Sequence, residues 1–312
     1  KGKFKMATIS AKDVMELRKQ TDCGMMECKK ALTDAEGDFA KAVELLREKG
    51  LATASKKAGR VAAEGMVYAT ACSECKVGVA LEVNAETDFV AKNDKFVDFV
   101  KKVADVIIKE NPADVEALMA CKMGEGTVDD ALKNLILVIK ENIKVRRFTR
   151  YEGVCAAYIH AGGTHAVLVN FDTTDEVAAK PEFAAYGKDI AMQIAAANPT
   201  YVCREEVPAD VLDKEKEILL AQMANDPKTA NKPEAVKEKM ILGKVGKFYK
   251  ENCLVDQAFV KDDKQSVAQH TAQVGKELGG EIKIVKFVRY EKGEGLEKRV
   301  DDFASEVAGM VK

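Results

Sequence analysis

The residues able to do chemistry are few, and most of them lack the company that chemistry needs. Cys72-Ser73-Glu74-Cys75 places two thiols at metal-ligand spacing. A closed zinc site takes four ligands, however, and His160, His165 and His270 are the only histidines. The motif is read as a turn carrying two free thiols, with no metal expected. Glu86 and Asp88 are carboxylates two positions apart, and across a turn that spacing gives ordinary solvated acids rather than a general acid and base. The sequence has no G-x-S-x-G or H-E-x-x-H constellation. It also has no G-x-x-x-x-G-K-S/T loop to cradle a phosphate, and Gly162-Gly163 lacks that spacing. No covalent catalyst, cofactor site or nucleotide site is expected, which leaves contact with a partner as the way the chain acts.

The stretch most suited to contact is Thr87-Asp88-Phe89-Val90. A β-type run from Val77 to Val83 ends in polar turn residues, and a helix-periodic segment opens at Asp94 and continues to Ile108. Phe89 is thus expected at a strand-to-helix junction. The stretch recurs without a gap 87 residues later: Thr87-Asp88 falls on Thr174-Asp175, Val90-Ala91 on Val177-Ala178, and Phe96 on Phe183. Leu81, Phe99, Val103 and Ile107 fall on Leu168, Tyr186, Ile190 and Ile194. These shared positions are mostly apolar, as in a duplicated packing unit. Phe89 is the exception, since it falls on Glu176. A buried unpaired carboxylate is costly, so either Phe89 is exposed for contact or the two copies differ locally.

The elements around these residues divide the chain. Ser10 and Asp13 cap a first short helix carrying Val14 and Leu17. A second, with Cys28, Ala31 and Leu32 inward, ends near Gly37, and a third, with Ala42, Val43, Leu45 and Leu46, stops at Gly50. Residues 52–60 are small and basic, a linker by composition. Strands are expected near Gly65–Thr70 and Val77–Val83, then helices over Asp114–Cys121 and Val128–Ile143. Lys144–Tyr151 alternates basic and apolar residues, which can mean RNA but is what a half-buried strand gives anyway. Strands Val154–His160 and His165–Phe171 and a helix ending before Asn198 repeat the plan. Between Glu205 and Asn252, apolar stripes interrupted at Asn225-Asp226-Pro227 read as an antiparallel helical hairpin. Strands at Phe259-Val260 and Glu281–Tyr290 then flank a helix over Ser266–Leu278, and an amphipathic helix runs from Leu296 to Val311.

A chain of 312 residues exceeds the size of a single core, so two or more domains are expected. Lys+Arg at 49 against Asp+Glu at 51 argues against a dedicated nucleic-acid binder. No apolar run is long enough to span a membrane. The eight cysteines are scattered, as in a chain with reduced thiols in a cytosolic compartment.

Thr87-Asp88-Phe89-Val90-Ala91-Lys92-Asn93, Leu17-Arg18 and the run Gly24-Met25-Met26-Glu27-Cys28-Lys29-Lys30-Ala31-Leu32 together resemble the translation elongation factor Ts family. The resemblance extends from about Thr8 to the C-terminal helix. It implies an α+β chain in five parts: a ubiquitin-associated-like three-helix domain and basic linker over residues 7–60; a duplicated α/β core with antiparallel sheets, over 61–150 and over 151–204 with 253–295; an inserted helical hairpin for dimerisation over 205–252; and a C-terminal helix over 296–312. It also implies guanine-nucleotide exchange on elongation factor Tu, GDP-bound or nucleotide-free, without covalent chemistry. In such a factor Arg18, Met25 and Met26 touch the partner, Phe89 wedges between its helices with help from Asp88, and Thr87 and Val90 complete the motif. His160 is expected at the interface too, although the loop here reads Ala-Gly-Gly-Thr. The implied compartment is the cytoplasm, or an organelle matrix or stroma once a transit peptide is removed. A non-catalytic scaffold, or a ribosome- or RNA-associated adaptor, is the reading from a different class.

Overall fold

The computed structural model describes residues 9–21, 23–230 and 232–297. Three- and four-residue apolar spacing puts Val14 and Leu17 inside α1 (Ala11–Thr21), and Cys28, Ala31 and Leu32 inside α2 (Met25–Asp34). These residues meet Ala42 and Leu46 of α3 (Phe39–Lys57) in one small core. Ser10 caps α1 through Asp13, whose carboxylate accepts the Ser10 N–H at 2.9 Å. α3 differs from expectation. It runs through Gly50 to Lys57, so most of the stretch read as a linker is helix. Gly50 is buried where α3 crosses a later helix, and a Cβ there would come within 3.4 Å of the Lys133 carbonyl oxygen. That glycine marks a close approach rather than a stop, and the alanines and lysines beyond it are good helix formers.

The first sheet has the order β1-β2-β5, antiparallel throughout. β1 (Glu64–Cys72) and β2 (Val77–Ala85) form a hairpin. α4 (Asp88–Ala91), α5 (Asp94–Glu110), α6 (Val115–Ala120), the short pair β3 (Lys122–Met123) and β4 (Gly126–Thr127), and α7 (Val128–Ile139) then lead to β5 (Lys144–Glu152). Every residue of β2 is buried, because α5 covers one face with Phe96, Phe99, Val100, Val103 and Ile107. α7 stops at Ile139, four residues before the expected end. Lys140 takes a left-handed conformation there (φ 65°), and the Asn142 N–H is donated outside the helix.

The second sheet has the order β6-β7-β10 and is also antiparallel. β6 (Val154–His160) and β7 (His165–Asp172) lead through α8 (Asp175–Ala178) to α9 (Pro181–Ala197), which packs on the sheet with Phe183, Tyr186, Ile190 and Ile194. The chain then leaves as the hairpin α10 (Ala209–Asn225) and α11 (Glu234–Asn252). It returns through β8 (Ala258–Phe259), β9 (Asp262–Ser266) and α12 (Val267–Glu277) to β10 (Lys283–Glu291). The end helix expected from Leu296 falls outside the described residues beyond 297.

The two sheets meet through Val67, Ala69, Ala80, Ala166, Leu168 and Tyr290. Small side chains let the backbones approach: a Cβ on Gly78 would lie 2.5 Å from Leu168 Cδ1 and 2.8 Å from Cys155 Cβ. Glu82 of β2 is fully buried. Its carboxylate accepts from Arg146 Nη1 at 3.1 Å, Arg147 Nε at 2.6 Å and the Gly293 N–H at 2.8 Å, tying the end of the second sheet to the first. Among the described residues no helix is long and apolar enough to cross a membrane.

Candidate partner-contact site

Where β2 ends, the chain must turn before α5 can cover the sheet, and α4 is that turn. Val90 points inward and is 5% exposed, whereas Phe89 beside it is 78% exposed, the most exposed phenylalanine among the described large apolar residues. Of the two readings of the Phe89-to-Glu176 exchange, exposure of Phe89 is observed. The local geometry differs as well. Thr87 is the N-cap of α4 but makes no side-chain cap bond, whereas Thr174, at the matching place before α8, accepts the Val177 N–H in the ordinary way.

The Thr87 hydroxyl is occupied elsewhere. The Glu141 carboxylate, in the loop after α7, accepts the Thr87 hydroxyl at 2.7 Å and its N–H at 3.0 Å. One residue back, Glu86 accepts the Asn142 N–H at 2.6 Å and faces Arg60 at 3.4 Å. The Asn142 side-chain amide donates to the Arg60 carbonyl at 2.7 Å. The strand end and the α7–β5 loop thus hold each other, and the Thr87-Asp88-Phe89 turn is fixed at its root while its tip stays in solvent. Asp88 is exposed, and its nearest cation is Lys92 at 3.9 Å, a surface pair of little energetic weight. Glu141 and Asn142 were invisible to motif reading. They lie over fifty residues from Thr87, and the only local sign was polar character at the end of an apolar helix.

The structure places Arg18, Met25 and Met26 on the outer side of the three-helix core. Met25 and Met26 are 52% and 76% exposed. With Gly24, Lys95 and Lys140 these three line one shallow groove of about 420 Å³. Lys95 opens α5, six positions after Phe89, and Lys140 directly precedes Glu141. The groove therefore brings the N-terminal candidates to the same side as the turn. His160 is exposed at the end of β6, with Nδ1 3.0 Å from the Tyr158 hydroxyl and its ring 6.1 Å from that of His165. It is not part of the groove.

An exposed aromatic on a braced turn, flanked by exposed methionines, suits a protein surface rather than a reacting substrate. Among the described residues no group of three or more His, Cys, Asp or Glu side chains could hold a metal ion. Comparison with known proteins points the same way. The family profile described as Elongation factor TS matches residues 86–294. Elongation factor Ts of Symbiobacterium thermophilum is 50% identical over 307 residues, 97% of this chain and 98% of that protein. Elongation factor Ts of Clostridium perfringens is 48% identical over 306 residues, 97% of this chain and 99% of that protein. The protein of that name from Trichlorobacter lovleyi is 48% identical over 308 residues, 96% of this chain and 97% of that protein. With the profile covering well over half of the chain and relatives matched nearly end to end, the chain belongs to the elongation factor Ts family of translation elongation factors.

Proposed function

We propose that the chain is a guanine-nucleotide exchange factor for elongation factor Tu, acting by contact alone. The observation that carries this reading is the 78% exposure of Phe89 on a turn whose root is clamped by Glu141. A rigid turn can deliver an aromatic wedge without first losing the entropy of ordering itself. Nanomolar GDP is held by about −12 kcal/mol, and accelerating its release about 10⁴-fold takes about 5.5 kcal/mol of differential interaction. One side chain does not supply that, so a divided grip is needed. Arg18, Met25 and Met26 hold one part of the partner, Asp88 and Phe89 displace the elements around its Mg²⁺ and phosphates, and the second sheet, with His160 at its edge, holds another part; Thr87, bound to Glu141, and the buried Val90 hold the turn itself rather than touch the partner. Mg²⁺ demands near-ideal octahedral geometry, so a small displacement weakens it. Linkage makes the effect reciprocal: GDP weakens this protein's hold as much as this protein weakens GDP.

The same reading takes α1–α3 as a ubiquitin-associated-like bundle and the two sheets as a duplicated core. In support of duplication, α4 and α5 coincide with α8 and α9 at the 87-residue offset. α5 and α9 also both end on a left-handed asparagine, Asn111 at φ 47° and Asn198 at φ 45°. The α10–α11 hairpin leaves Ile218, Leu220, Val236 and Leu242 exposed, an apolar flank that a second copy of the chain would cover.

The deciding experiment is release of a fluorescent GDP analogue from purified elongation factor Tu with substoichiometric amounts of this protein. Catalytic acceleration that weakens as Mg²⁺ is raised supports exchange through the metal-phosphate site. Binding without acceleration would leave a scaffold or ribosome-associated adaptor as the better reading, and absence of binding would remove both.

A further inference from the structure

The β1–β2 turn carries chemistry that partner contact does not use. Cys72 is the last residue of β1, paired with Val77, and the turn Ser73-Glu74-Cys75-Lys76 closes with the Lys76 N–H on the Ser73 carbonyl at 3.3 Å. Lys76 takes φ 50°, which curls the turn back over the strand end. As a result the Cys75 N–H donates to Cys72 Sγ at 3.1 Å. The donor nitrogen is two bonds from Cys75 Cβ, so the first sulfur already sits beside the carbon that bears the second. A disulfide takes Cβ atoms about 3.5–4.5 Å apart with a dihedral of about 90°, and the closeness of Cys72 Sγ to the Cys75 backbone brings the two side chains toward that range. Cys75 is exposed and Cys72 partly so, whereas Cys23, Cys28 and Cys253 are buried.

We propose that Cys72 and Cys75 form a reversible dithiol–disulfide site whose co-substrate is a low-molecular-weight disulfide. The Cys75 thiolate attacks one sulfur of the small disulfide, that S–S bond breaks, and the first thiolate leaves and takes up a proton. The Cys72 thiolate then attacks the Cys75 sulfur of the mixed disulfide and expels the second small thiol. The protein loses two thiol protons and two electrons, and the small disulfide gains both to become two thiols. Cys75 is the entry sulfur because it is the exposed one. Beside the turn, against β6, α8 and α9, lies a cavity of about 650 Å³ lined by Cys72, Lys76, Asp175, Lys180 and Lys188; Cys75 stands outside its lining, and the small molecule reaches it past the rim. Lys76 is held by Asp175 and Lys180 by the Leu278 carbonyl, so Lys188 is the lining cation that suits a small disulfide carrying a carboxylate. The hydrogen bond to Cys72 pushes the Cys75 thiol above its ordinary value, with burial adding to it, so the rate rises as pH is raised above neutral.

The turn is also a joint. Lys76 Nζ donates to both Asp175 carboxylate oxygens at 2.7 and 2.8 Å, and the Lys76 carbonyl accepts the Gly153 N–H at 2.8 Å. Closing the disulfide therefore acts on the residue that bridges the first sheet to α8.

The test is to equilibrate the full chain in oxidised and reduced glutathione at a series of ratios, quench in acid, alkylate, and map the peptides by mass spectrometry. The expected result is loss of two of the eight thiols to one Cys72–Cys75 bond that reduced glutathione reverses. Cys72→Ser is expected to hold one glutathione on Cys75, with the circular dichroism spectrum unchanged because the turn is exposed. Oxidation of other cysteines first, or stable glutathione on wild-type Cys75 beside a free Cys72, overturns the proposal. So does a Cys72→Ser chain that takes up no glutathione.

Discussion

The carboxylate of Glu141 holds Thr87 by both its hydroxyl and its N–H, at 2.7 and 3.0 Å. This one residue from the α7–β5 loop replaces the cap bond that Thr87 would otherwise give to α4. Glu141→Ala is expected to slow nucleotide release from elongation factor Tu about tenfold, the equivalent of about 1.4 kcal/mol and near the low end for hydrogen bonds to a charged group. Glu141→Gln, which keeps one acceptor, should fall between. Stopped-flow release of labelled GDP reads both, and an unchanged rate for Glu141→Ala would show that the turn needs no brace.

Phe89→Ala should separate contact from folding. With the ring in solvent, unfolding free energy from urea titration is expected to change by no more than about 0.5 kcal/mol. The exchange rate should drop about 30-fold, as for a hot-spot side chain worth about 2 kcal/mol. A large loss of stability with Phe89→Ala would assign the ring to the core instead.

Glu82 is a fully buried carboxylate held by donors from three segments. Glu82→Ala takes the acceptor from Arg146 Nη1, Arg147 Nε and the Gly293 N–H in a site where the carboxylate itself is fully buried, leaving both arginines, among the described residues, only their bonds to Glu294 and its neighbours. Both arginines keep some contact with water, so the expected cost is about 3 kcal/mol, the low end for breaking a buried pair. Urea denaturation monitored by circular dichroism measures it.

His270 stacks on Phe259 with ring centres 4.1 Å apart. Burial pushes its imidazole below the ordinary value of 6.5, and Lys261 adds to this against the opposing pull of Asp189, Glu277 and Asp262. The unfolded chain therefore binds the proton more tightly than the folded one. The contribution of His270 to stability is fully present above pH 6.5 and is lost as pH falls below 6.5 toward the folded value. Thermal melts between neutral and mildly acid pH should show this slope, and His270→Phe should flatten it.

How much was legible in the sequence follows from what each residue answers to. Phe89 stood out because its counterpart is Glu176, a swap that packing would not tolerate, and exposure is what the structure shows. β2 was legible as a short continuous apolar run, as fits a strand buried at every residue, and α5 from its helical period, as fits a helix that buries one face. The end of α3 was misplaced because Gly50 looks like a terminator when only its neighbours in sequence are known; its reason is the Lys133 carbonyl on another helix. The end of α7 was misplaced for a related reason, since the Asn142 N–H leaves the helix for Glu86. The clamp on Thr87 could not be read at all, because hydrogen bonds between distant segments leave no spacing in the chain.

The continuity of α3 has a further consequence. Because α3 packs in the same small core as α2, which carries Met25 and Met26 at its start, and runs on unbroken past its meeting with α7 at Gly50, the direction in which the methionines face is tied to the helical phase of α3. A single residue inserted near Thr53 would turn the two parts of α3 against each other by about 100°, so that either the Gly50 side or the side of Ala54 and Lys57 loses its seat on the first core. Seven inserted residues would nearly restore the bearing but move the bundle about 10 Å along the axis. The helix thus works as a vernier between the small core and the first sheet, and a tether of the same length would have neither bearing nor scale.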